Sequence, residues 1–396
     1  MLPETFSIGE LQFAANLAFY ALFPPLVLGL AWALVIMRLA YYVTKRPFWM
    51  RAFNLWVRIQ ALTFALAVLS SLSLTFQIAE LWPEFTRFIR PISTPLLHYE
   101  VTAGFLPELC CLTIMLLAPG RVAGWMHGAA TVLCALALSF SDYWLAVMTS
   151  WTADPRGVSV ENGALILQDW RAVVQAPLLL QRLFEGAMIA TVVTGGFLAG
   201  MSCFRLAIGR RDPEVGVAAR LGLMMMTLSL PWLFYRAATW PSGIELQGAS
   251  AMQTLSELGH IFVWSGSLIL ALTYATTIYG FRSPGKTRRL PLIIAWASLV
   301  ILLGMFLVPL GFWAMRAAEQ YPWLVKDLMP LDQARIGTTS TASPQTMGAY
   351  MAVSTAMMLG FVLTIRRLGL RRWTPTAEQR RSAAAAGADH RLRRLV

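Results

Sequence analysis

Nine apolar runs, near 11–43, 54–80, 95–118, 123–150, 177–208, 217–239, 254–280, 290–316 and 346–366, take up most of this sequence and leave it few folds to choose from. Each is long enough to cross a bilayer, whose hydrocarbon core takes about 20 consecutive apolar residues in helical form. In lipid a helix satisfies its own backbone hydrogen bonds, which an irregular chain does not. With 57% hydrophobic and only 13% charged residues, the chain has too little polar surface for a soluble domain of this length. The expected fold is all-α: a polytopic bundle of about nine transmembrane helices over 1–372, followed by a basic tail at 373–396.

A net charge of +12 raises nucleic acid as a partner, but the basic residues are not spread along an amphipathic face, so none is expected. They gather in every second connection: Lys45, Arg46 and Arg51; Arg121; Arg205, Arg210, Arg211 and Arg220; Arg282, Lys286, Arg288 and Arg289; and the tail from Arg366 and Arg367 onward. Cytoplasmic connections collect Lys and Arg, which places the N-terminus outside and the C-terminus in the cytoplasm. The other connections carry Trp82, Trp144, Trp151, Trp170, Trp240, Trp313 and Trp323, expected as an interfacial aromatic belt. Two of them, 151–176 and 317–345, are long enough to hold structure, the second as a cap on the outer face. The opening MLPETFSIGE is acidic where a cleavable signal would be basic. Cys110, Cys111, Cys134 and Cys203 lie in apolar runs without metal-ligand spacing, so they are expected as buried small residues with no disulfide.

Ionisable residues at bilayer depth are costly and point to function. The densest set is His98–Glu108 in the third run, HYEVTAGFLPE. On an α-helix Glu100 and Glu108 stand about 80° apart around the axis and about 12 Å apart along it, which suits two stations on one polar path. Ser141 and Asp142 in the fourth run extend that set, with Ser139 nearby. The alternative is that each glutamate pairs with an arginine of a neighbouring helix and only fixes packing. Arg182 can pair with Glu185 at i+3 beside Gln181, or hold an acidic cofactor group. His98, His127 and His260 are the histidines inside helices. Pro24, Pro25, Pro107, Pro231 and Pro309 are expected to open or kink their helices, and Gly195, Gly196 and Gly200 to admit a neighbouring backbone. Met224, Met225 and Met226 point about 100° apart in turn and cannot converge on one ion.

Several segments together resemble subunit I of the cytochrome bd family of quinol oxidases. His127, Trp144, Trp151, Pro155 and Gly157 fall without a gap on that family's fourth helix and its W-x-x-x-P-x-G exit. TFQIAELW, Thr75–Trp82, resembles its EFQFGTNW. PLLHYE followed by Glu108 resembles PLAIE with a second glutamate eight residues on, given one inserted residue before Glu100. VVTGGFLAG resembles the family's YVTG segment, and QYPW its GRQPW.

The resemblance implies a multi-pass protein of the bacterial cytoplasmic (inner) membrane, working in respiratory electron transport as an oxidoreductase subunit. Its implied surroundings are membrane lipids, a bd subunit II-like protein and other electron-transfer subunits. It also implies three haems, held by histidines of the first and fifth helices, a methionine of the seventh and a glutamate of the eighth. Here those positions hold Tyr20, Glu185 or Gly186, Val263 or Trp264, and Met315 or Arg316. The quinol-associated loop after the sixth helix is cut to roughly Trp240–Thr254, so quinol is not carried over. Two functions follow as expectations. In one, the chain keeps at least one haem on substituted ligands drawn from His260, His98 and Tyr20, with Arg182 and Glu185 near its acidic groups. In the other, it is a haem-free anchor or proton-conducting scaffold in which Glu100, Glu108, Ser141 and Asp142 form the pathway and His127 is a polar core residue.

Overall fold

The computed structural model describes residues 8–118, 120–207, 212–240, 250–282 and 290–334, and positions 352, 353, 355, 356, 359–363 and 367. Its long helices are α1 (Ile8–Thr44), α2 (Pro47–Leu81), α3 (Pro83–Tyr99), α4 (Leu106–Leu117) and α5 (Gly124–Ala153). After a short α6 (Trp170–Val174) come α7 (Leu179–Ala207), α8 (Pro213–Thr239), α9 (Ser250–Arg282) and α10 (Leu290–Gln320), and the short α11 is Leu331–Ala334. Among the described residues seven helical stretches are long and apolar enough to span a membrane, one of them Pro83–Leu117, which joins α3 to α4. α10 adds an eighth long helix, whose first half has side chains outside the described set. The expected ninth run, 346–366, lies largely outside the described residues, as does the tail. This is a multi-pass helical membrane bundle.

Most helices start and stop where turn chemistry directs. Pro47, Pro83 and Pro213 occupy first-turn positions, where the missing N–H costs nothing. The third span therefore begins at Pro83 and not near 95, because Pro91 and Pro95 are carried inside α3 without ending it. Pro24, Pro25, Pro231 and Pro309 likewise sit inside continuous helices. The backbone opens at one place among the helices, a π-helical turn over Glu100–Phe105 just before Pro107. There the Leu106 N–H donates to the Val101 carbonyl, five residues back.

The all-α expectation misses two small antiparallel hairpins at one end of the bundle. β1 (Val158–Glu161) pairs with β2 (Ala164–Leu167), turning on Asn162 and Gly163, both with positive φ. β3 (Trp323–Val325) pairs with β4 (Met329–Pro330). The Lys326 N–H and the Gln320 side-chain amide both donate to the Thr152 carbonyl, which ties the second hairpin to the end of α5. These hairpins cover a separate apolar cluster that includes Ile92, Val147, Trp151 and Val325. As a result Trp151 is a core residue and not a belt residue, and Trp240, packed on Phe312 in the main core, is buried as well, 0% and 3% exposed. The Trp151 indole N–H donates to the Arg156 carbonyl.

Close packing falls on glycines. A Cβ on Gly311 of α10 would lie 2.7 Å from the Gly259 carbonyl oxygen of α9, and one on Gly195 of α7 3.0 Å from the Gly222 carbonyl oxygen of α8. Such small-residue seams substitute backbone contact for the hydrophobic drive that lipid cannot supply between helices. Cys111, Cys134 and Cys203 are buried, but Cys110 is exposed, since adjacent helical positions point apart and only one of the pair faces the bundle.

Candidate functional site

The π turn sets the geometry of the acidic segment. Its i to i+5 bonding winds the chain more slowly than an α-helix, so the 80° and 12 Å separation expected for Glu100 and Glu108 does not apply. Glu108 turns into the bundle, 3% exposed, with one carboxylate oxygen buried and without a hydrogen-bond partner. Cys134 of α5 stands beside it, its thiol 4.0 Å from the Glu108 carbonyl oxygen. Glu100 is half-buried. Gly104, in the same turn, packs directly on the Ser141 hydroxyl of α5, which is buried and unpartnered. Tyr20 of α1 is half-buried within electrostatic reach of both Asp142 and Glu100. Asp142 in turn packs against α7, where a Cβ on Gly186 would lie 3.2 Å from its Oδ2.

One residue beyond Gly186 is a cluster that sequence spacing only half revealed. Glu185 is 2% exposed. Its Oε1 accepts from Arg236 Nη2 of α8 at 2.8 Å and from the Gln181 amide at 3.1 Å. Its Oε2 accepts from Arg316 Nη2 of α10 at 2.5 Å, with Arg182 Nη1 at 3.6 Å. The i+3 pairing of Arg182 and Glu185 is thus present, but it is the longest of the three arginine contacts. Arg236 and Arg316 come from distant helices and carry no local signal. The nearest hint was that positions 185 and 316 both fall where the resembled family keeps metal ligands. The Arg236 guanidinium also lies over the Trp240 ring, 4.5 Å from its centroid, and Trp240 and Trp232 both pack on Phe312 at 5.8 Å.

The histidines are scattered. His98 is exposed at the end of α3, with its ring edge toward Tyr99, so it faces away from the bundle core and away from any site inside it. His127 is buried, its Nε2 3.3 Å from the Met115 carbonyl oxygen and its ring against Phe53. His260 is half-buried, with Nε2 enclosed and unpartnered. Among the described residues no group of three His, Cys, Asp or Glu side chains is placed to hold a metal.

The sequence family described as cytochrome bd terminal oxidase subunit I matches residues 8–240, which takes in α1 to α8 together with the acidic segment. The chain belongs to that family. It is 23% identical over 219 residues to the cytochrome bd ubiquinol oxidase subunit 1 of Bacillus subtilis (strain 168), covering 55% of this chain and 47% of that protein. It is 26% identical over 233 residues to the cytochrome bd-II ubiquinol oxidase subunit 1 of Escherichia coli (strain K12), covering 57% and 45%. The chain thus spans about half the length of the curated relatives it matches. A chain of the bd oxidase structure from Geobacillus thermodenitrificans superposes with a TM-score of 0.73 at 14% identity, over 91% of this chain and 97% of that one, and so shares its fold.

The bd subunit I resemblance implies haem, and among the residues at the implied positions Glu185, Arg316 and Val263 do not fit it. Of the residues read for the fifth-helix position, Glu185 or Gly186, and the eighth-helix position, Met315 or Arg316, Glu185 and Arg316 are engaged with one another in an ion pair, Gly186 offers no side chain and Met315 is buried. The seventh-helix position, Val263, is 0% exposed and lies against the α9–α10 seam, where a Cβ on Gly311 would meet its Cγ2 at 2.7 Å. A bulky ligand needs a slot of about 300 Å³ or more, and helices in backbone contact leave none at that seam.

Proposed function

We propose that this bd subunit I relative is a membrane subunit of a bd-type respiratory complex in the bacterial cytoplasmic membrane, haem-free at its family's ligand positions. In this reading it anchors catalytic partners, a bd subunit II-like protein and other electron-transfer subunits among them, and supplies them with a proton path. The observation that supports the reading is the ion pair between Glu185 and Arg316, which engages one of the two residues read for the fifth-helix ligand position and one of the two read for the eighth. Glu108, Ser141, Glu100, Tyr20 and Asp142 form the track: carboxylates and hydroxyls in succession, with buried oxygens free to accept or donate. Protons move along such sets of ionisable groups, which is why these groups are tolerated at membrane depth.

A second reading, one haem on a substituted ligand, rests on the enclosed and unpartnered Nε2 of His260. A reduced-minus-oxidised spectrum of the complex isolated through a tag on this chain, with and without His260→Ala, separates the two. The absence of haem bands from the assembled complex supports the scaffold reading. Bands that vanish in the variant while the subunits stay assembled overturn it.

A further inference from the structure

We infer that Arg182, Arg236 and Arg316, gathered on Glu185, form an electrostatic and steric plug that closes the acidic track at the hairpin end of the bundle. The inference rests on the proposed proton path, and it answers a physical problem that the path creates. A line of carboxylates that carries protons to partner subunits becomes a leak if it continues from one side of the membrane to the other. Asp142 is where the track meets the cluster, since its carboxylate packs on α7 at Gly186 and lies within electrostatic reach of Arg316. Beyond it the next carboxylate is Glu185, with both oxygens engaged by guanidiniums.

A guanidinium stays protonated in proteins and has no acceptor atom, so it neither receives a proton nor passes one on. An arginine lining a pore is also an established barrier to protons and cations. Three arginines meet the single carboxylate of Glu185, so more guanidiniums than carboxylates are in direct contact there. Two further acids face the cluster: Asp142 from the track side and the exposed Glu319 at the end of α10. The space beside the ions is filled as well. Trp240 lies under Arg236, Phe312 meets Trp240 edge-on and Trp232 stacks on Phe312, which makes an aromatic wall beside the ions.

The test is passive proton influx into vesicles of neutral phospholipid, holding a pH-sensitive dye and the tagged complex, under an imposed potassium diffusion potential. Wild type is expected to leak no faster than protein-free vesicles. Arg316→Gln is expected to raise influx severalfold, and Glu108→Gln added to it to bring influx back down. An assembled Arg316→Gln complex that leaks no faster than wild type overturns the plug, as does a wild type that already leaks. If Arg316→Gln does not assemble, Arg182→Gln, which spares the two shorter ion pairs, is read in the same way. A leak in Arg316→Gln that is unaffected by Glu108→Gln leaves the plug standing and removes the glutamate track, so the two ideas fail separately.

Discussion

Glu185 of α7 and Arg316 of α10 form an ion pair 2.5 Å long, 131 residues apart in sequence, within a site where the carboxylate is 2% exposed. Arg236 brings α8 to the same carboxylate at 2.8 Å, so three helices meet on one acidic side chain. Removing the shared partner is expected to do more harm than removing any one arginine. Breaking a buried pair from one side costs about 3–5 kcal/mol, because it leaves uncompensated charge. Glu185→Gln should therefore lower the midpoint of thermal unfolding in detergent far more than Arg182→Gln. Equal, small shifts in the two variants would show the cluster to be hydrated and structurally unimportant.

The α9–α10 seam makes a second prediction. A methyl group on Gly311 meets the Gly259 carbonyl and Val263 at 2.7 Å, contacts that need a backbone shift. Gly311→Ala is expected to cost about 1–3 kcal/mol, the range for overpacking. Gly124, whose Cβ would meet nothing within 4 Å, is the control and should tolerate alanine. Unfolding midpoints that move together would contradict the close approach of α9 and α10.

Glu100→Leu and Glu108→Leu test the acidic segment. Each is expected to change how turnover of the assembled complex responds to pH or to the applied redox potential, with the larger change at the more buried Glu108. Unchanged activity profiles in both variants would remove them from any pathway.

Trp151 tests the lid made by the hairpins. It is 0% exposed, and its indole N–H donates to the Arg156 carbonyl at 3.2 Å. Trp151→Phe keeps most of the packing and loses a bond worth about 1 kcal/mol, whereas Trp151→Ala opens a cavity costing about 3–5 kcal/mol. Limited proteolysis in the 154–169 connection should follow that order, with alanine the more readily cut. Identical cleavage of all three proteins would mean that this tryptophan does not hold the hairpins down.

Much of this architecture was legible along the chain because it follows from local chemistry. Apolar runs long enough to cross a bilayer become helices whatever their neighbours do, and first-turn prolines set several of their starts. Acids inside those runs announced a site, because lipid makes them expensive. The hairpins at 158–167 and 323–330 were less visible, since their strands are two to four residues long and lie in turn-rich connections. The tryptophans misled for a related reason: Trp151 and Trp240 have the composition of a belt, and only the hairpin cover and the Arg236 contact make them core.

What the sequence alone determined, then, is a multi-pass helical chain of the bd subunit I family with acids in its third span and unfamiliar residues at the family's ligand positions. What those residues do was decided by tertiary structure. Nothing local distinguishes Arg316 or Arg236 from a snorkelling interfacial arginine, and Glu185 has local partners only in Gln181 and Arg182. Their meeting depends on how α7, α8 and α10 pack, and packing brings together charges that sequence separation keeps 51 and 131 residues apart. The π turn is partly of the same kind: Pro107 signalled an opening in the helix, but that the opening is a π turn directing Glu108 into the bundle was decided by the fold.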